Sequence, residues 1–306
     1  MQNQNPVKIY TAIVLSMVFF ALSFVWFKVA NVSYGPLTIV LARLVISSAI
    51  LLVFTKLTVL WKRPDKKDFK YILLLAFFEP FLYFMGESYG LQYISSTVGA
   101  VIIATIPLVA PFAAFFFFKE RITLRNFLGI VLSFFGVTLV IFEWGVGLTA
   151  SPLGVFLQFI AVLAAVGYTV VLHKISARMN NISIILFQNF LGALYFLPFW
   201  LIFEKNRVLS SPFDSQAALA IVYLAIFAST LAFVLFTYSV RHLGITKANM
   251  FTNTIPVFTA IFAFFVLGDQ LNFQKIIGIV VVVSGLFVAQ LKFKKQYKGP
   301  DPIPRT

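Results

Sequence analysis

Ten runs of apolar residues follow one another along the 306-residue chain, separated by short polar breaks. They cover roughly 10–30, 37–55, 71–88, 96–118, 126–142, 153–173, 183–203, 217–238, 248–267 and 276–291. Each is close to the roughly 20 mostly apolar residues that a helix needs to cross a bilayer. Strands of a membrane barrel would alternate apolar and polar residues, and these runs do not. The pattern therefore predicts an all-α integral membrane protein with ten transmembrane helices. The run from Ile9 to Phe27 is preceded by a single Lys and followed by no small-x-small cleavage site, so it reads as the first spanning helix rather than a removed leader.

One stretch of this pattern occurs twice. Residues 72–141 align with 221–290 at a constant offset of 149, with 18 of 70 positions identical. Apolar bias raises such a count, but it does not bring a proline, an acid and two glycines into register. Pro107 falls on Pro256, Glu120 on Asp269, Gly129 on Gly278 and Gly136 on Gly285. The earlier helices align at an offset of 146, which sets Lys28 on Lys174 and Arg43 on Asn189. Glu143–Pro152 carries no Lys or Arg and joins the copies. The chain thus divides into residues 1–147, with five helices, and 148–306, with five helices and a basic tail. Five is odd, so the second copy enters the membrane from the opposite side. Such inverted repeats are a common plan of secondary transporters, with the substrate near the midplane between the halves.

Charge adds orientation. The chain carries a formal net charge of +14. With residue 1 in the cytoplasm, 19 Lys and Arg fall on inner segments, 4 on outer ones, and Arg43 lies within a span. The bias predicts a plasma-membrane protein with both termini cytoplasmic. A nucleic-acid partner is not needed to explain the charge. The tail Lys292–Lys298 is suited to anionic lipid headgroups. With 60% hydrophobic and 11% charged residues, little chain remains for a soluble domain.

The duplicated segments resemble a known family. They are Thr254-Ile255-Pro256-Val257-Phe258-Thr259-Ala260 followed by Leu267-Gly268-Asp269-Gln270-Leu271, Gly278 and Gly285. The first copy has Ile106-Pro107, Lys119-Glu120-Arg121-Ile122, Gly129 and Gly136, with Arg43 in Leu41-Ala42-Arg43-Leu44. The chain is similar throughout to ten-helix transporters of the EamA type in the drug/metabolite transporter superfamily. It departs from them in having Lys119-Glu120 for a Gly-acid pair, and in lacking their helix-1 Trp-Gly pair, although Trp26 lies nearby. The resemblance implies transport of small organic metabolites, often outward, with amino acids as the leading class. Uptake, an uncoupled facilitator, and a non-transporting scaffold or enzyme subunit are the alternatives.

Charge inside a span is costly and marks a candidate site. Arg43 and Glu79 lie seven and eight residues from the ends of their helices on the same side. At 1.5 Å per residue both are roughly 10–12 Å deep. They form an ion pair, bracket a polar substrate, or hold two helices together as a structural pair. Glu79 is also a candidate proton carrier, whose counterpart is Ala228. Tyr83, Tyr168, Asn189 and Asn253 are further candidates for the cavity, with helix–helix hydrogen bonding as the ordinary alternative. Pro107 and Pro256 are expected to break their helices, and Gly129, Gly136, Gly278 and Gly285 to let helices pack closely. Glu87 reads as a solvated helix end, with a gate residue as the alternative, and Glu120 and Asp269 as local turn residues. Two histidines and no cysteine predict no metal site and no cofactor. No phosphate-binding glycine loop and no catalytic triad pattern is present, so no enzymatic activity is expected.

Overall fold

The computed structural model describes residues 6–58, 64–118, 124–144, 147–175, 179–243 and 251–290. Glu120, Lys119, Asn249 and the tail from Lys292 lie outside the described residues. The chain opens with α1 (Pro6–Asn31) and α2 (Pro36–Leu57). Helix α3 runs over Lys66–Tyr93 and contains a π-helical turn at Phe77–Leu82. There follow α4 (Ser96–Ile103), α5 (Ile106–Phe118) and α6 (Leu124–Ile141). A two-residue hairpin, β1 (Phe142–Glu143) with β2 (Gly147–Leu148), leads to α7 (Pro152–Ile175), α8 (Asn181–Phe203) and the short α9 (Lys205–Ser210). Segments Ser215–Tyr223, Leu224–Ala232 and Phe233–Leu243 form α10, the middle one again π-helical. Helices α11 (Ile255–Leu267) and α12 (Phe273–Gln290) end the described fold.

The protein is an all-helical, multi-pass membrane protein. Among the described residues, six helices have the length and hydropathy to cross a membrane, and four shorter apolar helices accompany them. Large apolar side chains face outward, as Phe265 at 77% exposure and Ile202 at 73% show. In water such a surface would drive association; facing lipid it is the solvated surface.

Local chemistry sets the helix ends. Ser95 accepts the Val98 amide, Asn180 the Ile182 amide, and Asp214 those of Gln216 and Ala217. These side-chain oxygens satisfy amides that the first helical turn leaves without partners. Gly268 closes α11 at a φ of 70°, where a side chain would be strained. Both expected proline breaks are present. The chain turns at Ala104–Thr105 before Pro107, and at Asn253–Thr254 before Pro256. In each case the proline then stands in the first turn of the new helix, where its missing N–H is not needed.

Helices α6 and α12 make the closest pairing. Gly136 lies against Gly278 and Val282, and Gly285 against Gly129 and Ser133. The Ser133 hydroxyl donates to the Val282 carbonyl at 3.1 Å. The contact numbers rise along one helix as they fall along the other, so the two helices run antiparallel. The largest apolar cluster draws residues from α1 through α7 and from α10 to α12, so the parts of the chain before and after residue 147 share one core.

Candidate functional site

A cavity of about 260 Å³ opens between the helices. Phe20, Ser23 and Phe24 of α1, Arg43 of α2, and Glu79, Tyr83, Phe84 and Glu87 of α3 form one side. Ile103, Ala104, Ile106 and Pro107 line it at the broken α4–α5 pair. Thr169 of α7, Phe233 of α10, Thr252 and Ile255 complete it. The helix breaks matter here. Where α4 stops and α5 restarts, irregular backbone borders the cavity, the place where a membrane protein tolerates it.

The cavity is not centred. Arg43 lies seven residues into α2, about 10 Å from its start, while Thr169 and Phe233 lie about 26 and 27 Å into α7 and α10. The starts of these helices share one face. The cavity therefore extends from below that face toward the opposite one, which carries Lys56, Lys66, Lys67 and Lys70.

At the 31–36 face acids join helix ends that are distant in sequence. Glu204 accepts the Leu37 amide at 3.1 Å, the Thr38 amide at 2.7 Å and the Thr38 hydroxyl at 2.6 Å. It thereby caps α2 from more than 160 residues away. Trp200 Nε1 donates to the same Thr38 hydroxyl at 3.0 Å. The Ser33 hydroxyl donates to Asp214, and Thr97 donates to Asp269 at 3.3 Å. Asp269 thus joins two distant segments, where sequence suggested a local turn role. The Ser33 hydroxyl and the Ala217 amide hold the Asp214 carboxyl below its ordinary value. Its folded value is the lower one, so its contribution is complete above the usual Asp range and fades only as pH falls below about 4. On the opposite face Asp65, 149 residues before Asp214, is exposed and its side chain caps nothing. Glu204→Gln is expected to lower stability by about 1 kcal/mol through loss of the anionic cap. A lower Tm in detergent and faster hydrogen exchange at the Leu37 and Thr38 amides would register it.

Arg43 is 4% exposed. Its Nε donates to Ser229 Oγ at 2.9 Å, and its guanidinium carbon lies 4.3 Å from the Phe84 ring centroid. Glu87, Tyr83 and Glu79, in that order, are its electrostatic partners. Arg43 and Glu79 line one cavity without an ion pair within 4 Å, so of the three sequence readings the direct ion pair is not formed; α3 continues to Tyr93, and Glu79 lies 14 residues, about 21 Å, from that end rather than at the depth of Arg43. Glu79 interrupts the π-helical turn with an extended backbone (φ −141°, ψ 117°). That excursion, just before Pro80, sets its carboxylate on the cavity wall.

Glu87 corrects the sequence reading. It is only 7% exposed, lines the cavity, and accepts the Tyr83 hydroxyl at 2.9 Å. It is not a solvated helix end, because the last turns of α3 pack against α7, where Gln158 Nε2 donates to the Glu87 carbonyl at 3.1 Å.

The remaining candidates separate. Tyr83 is on the cavity. Asn189 donates to Ser47 Oγ at 3.0 Å, and Ser47 lies 3.0 Å from Thr230 Oγ1 and 3.2 Å from the Ser229 carbonyl. This buried network ties α2 and α8 to the π-helical turn of α10 and ends at Arg43. The Tyr168 ring packs with Phe78 and Leu172, while its hydroxyl meets Gln188 and lies in the field of Glu79. Asn253 is fully buried beside Thr252. Among the described residues no group of His, Cys, Asp and Glu could hold a metal ion.

Comparison with known proteins agrees with this picture. The EamA-like transporter family model matches twice, over residues 7–142 and 152–290. The uncharacterized transporter YetK of Bacillus subtilis is 29% identical over 247 residues, 78% of this chain and 72% of YetK. An uncharacterized transporter of Archaeoglobus fulgidus is 25% identical over 291 residues, 93% of this chain and 98% of its own. One crystal structure matches with a TM-score of 0.67 at 14% identity, covering 93% of this chain and 97% of its own, which bears on the fold alone. With two family matches, transporter relatives over most of its length and a charged intramembrane cavity, the chain belongs to the EamA-like transporter family.

Proposed function

We propose that the protein is a secondary transporter of small organic metabolites that works by alternating access. The observation that carries the reading is the cavity itself. It holds charged side chains between apolar helices and extends from below the face where acid–hydroxyl contacts join the helix ends toward the other. Residues 1–147 and 148–306 are two inverted five-helix repeats, giving ten spans. The antiparallel α6–α12 pairing supports this, since Gly129 meets the repeat partner of Gly136, and Gly136 meets the partner of Gly129. The π-helical turns at corresponding places in α3 and α10 support it too. Exchange of the two halves' conformations would present the cavity to the two faces in turn.

Both termini face the cytoplasm in the plasma membrane, and the basic tail meets anionic headgroups. The cavity then opens inward, a starting point suited to export. Amino acids are the class that family resemblance suggests. Purified protein in liposomes tests the reading: solute flux above that of empty vesicles is expected, and its absence across a metabolite panel would defeat it.

Glu79 is the proposed proton carrier. Arg43 from α2, Tyr83 and Glu87 from its own helix and Tyr168 from α7 surround it electrostatically. Glu79→Gln should still exchange solute across the vesicle membrane. Accumulation driven by an imposed pH gradient should fall to the level seen without one. An unaltered response to the gradient would remove Glu79 from that role.

A further inference from the structure

The helices around the cavity form two groups. Helices α1 and α2 pack on α10, and α1 also on α11, while α7 and α8 pack on α3. The cavity lies between the groups. Phe24, Arg43 and Phe233 face it from the first, and Glu79, Glu87 and Thr169 from the second. The groups also meet directly, where α2 runs beside α8. Midway along α2 this seam carries a polar contact, from Asn189 Nδ2 to Ser47 Oγ at 3.0 Å.

At the 31–36 face the seam is joined more heavily. The N-cap of α2 is Gly35, which has no side chain to satisfy the first amides. Glu204, just past the end of α8 and 7% exposed, does so from the other group. It also takes the Thr38 hydroxyl, which Trp200 of α8 holds as well. The fit needs the glycine, because a methyl group built on Gly35 would overlap the Glu204 carboxylate. Gln92, near the end of α3, donates to Asn31 at the end of α1 at 3.4 Å, a second contact across the groups. The repeat-related ends are built differently. At an offset of 146 Glu204 aligns with Thr58, whose hydroxyl donates to the Phe54 carbonyl of its own helix, and Asn180 caps α8 locally.

An apolar layer separates this clasp from the cavity. Phe27, Ile39 and Leu91 stand about one helical turn nearer the face than Ser23, Arg43 and Glu87 of the cavity wall. All three are buried in one cluster. Phe27 and Ile39 belong to the first group and Leu91 to the second. We propose that Glu204 is the gating residue of the 31–36 face. Its hold on α2 keeps the groups together there. When it releases, Phe27 and Ile39 part from Leu91 and the cavity reaches that face, with the Ser47–Asn189 contact as the pivot. This rests on the alternating-access reading and assigns a residue to it. Bonds to a carboxylate are charge-assisted. They lie here at helix ends, where water takes over each group on release, so the net hold is small enough to break in every cycle.

The chain has no cysteine, so an introduced one reports without background. The test uses the full chain in sealed vesicles and an impermeant methanethiosulfonate. Vesicles are oriented so that the reagent reaches Ser210→Cys, on the 31–36 side, but not Lys67→Cys. Ser23→Cys, on the cavity wall, should react slowly in the otherwise unaltered chain and at least about 5-fold faster with Glu204→Gln. Glu204→Asp should recover part of the slow rate. Thr38→Val removes the shared hydroxyl at nearly constant shape; it should act in the same direction and decides the matter where the Glu204 variant fails to fold. Ser16→Cys, buried where α1 meets α10, should stay unreactive throughout. An unchanged Ser23→Cys rate overturns the proposal. So does a matching rise at Ser16→Cys, which would make Glu204 a support of the whole fold. Flux in liposomes separates this from the transport reading. Clasp-dependent labelling without solute flux defeats transport and keeps the gate. Flux with labelling that the Glu204 and Thr38 variants leave unmoved defeats the gate and keeps transport.

Discussion

Gly136→Leu is expected to remove most of the folded protein. A methyl group built on Gly136 would lie 2.7 Å from the Val282 amide nitrogen and 2.8 Å from the Gly278 carbonyl oxygen. Both are backbone atoms, so no side-chain rotation relieves the contact. Helices α6 and α12 would have to separate along their whole crossing, losing the Ser133–Val282 hydrogen bond and the matching approach of Gly285 to Gly129. Overpacking inside a core commonly costs about 1–3 kcal/mol, and a backbone-on-backbone site lies at or above the upper end. In lipid, helix association relies on such close approach rather than on apolar burial. A loss of about 3 kcal/mol or more is therefore expected, seen as a collapsed monodisperse yield in detergent and a lower Tm for whatever remains. Gly136→Ala should show the same trend more weakly. Phe134→Leu, on the exposed side of the same helix at 67% exposure, should be nearly silent. A Gly136→Leu protein with the parent's Tm would show that the crossing does not hold the molecule together.

The glycines were legible in the sequence because each recurs at the same offset, and close packing is one of few roles that needs a glycine twice. The proline breaks were legible for a similar reason: a proline inside a span acts locally, on its own helix. The depth of Glu79 was not legible: the apolar run suggests an end near residue 88, whereas α3 continues to Tyr93, which leaves Glu79 14 residues, about 21 Å, from that end and puts Glu87 nearer the depth of Arg43. Contacts across the fold were not legible. Glu204 caps a helix that begins 168 residues earlier, and nothing near it in sequence names α2 as its target. Ser229, the partner of Arg43, stands where the first copy has Pro80, so the repeat could have drawn attention to it but not to its bond. Glu87 was misread because its position along the chain suggested a helix end, whereas the packing of α3 on α7 buries it. Asn189 and Tyr168 lie inside long apolar helices, as their runs suggest. Periodicity does not say which buried surface a residue meets: Asn189 joins a helix-linking network, and Tyr168 has an apolar ring environment with its hydroxyl near Gln188 and Glu79.

Arg43→Met tests whether the cavity charges act as a unit. Methionine keeps much of the side chain's reach and apolar contact, so the change chiefly removes the guanidinium. Ser229 then loses its donor, Phe84 its cation, and Glu87 and Glu79 the only positive charge on the cavity wall among the described residues. Breaking a buried charge arrangement from one side typically costs about 3–5 kcal/mol, mostly through the acids left behind. Arg43→Lys should recover only part of this. An ammonium keeps the charge but not the planar group that donates to Ser229 while stacking on Phe84. The decisive variant is the double one. If Glu87 is the main counter-charge, adding Glu87→Gln to Arg43→Met should restore about 1 kcal/mol or more relative to Arg43→Met alone, because the pair is coupled rather than additive. Thermal or denaturant unfolding of the four proteins of the cycle measures that coupling. A double variant no more stable than Arg43→Met would mean that Arg43 does not neutralise Glu87.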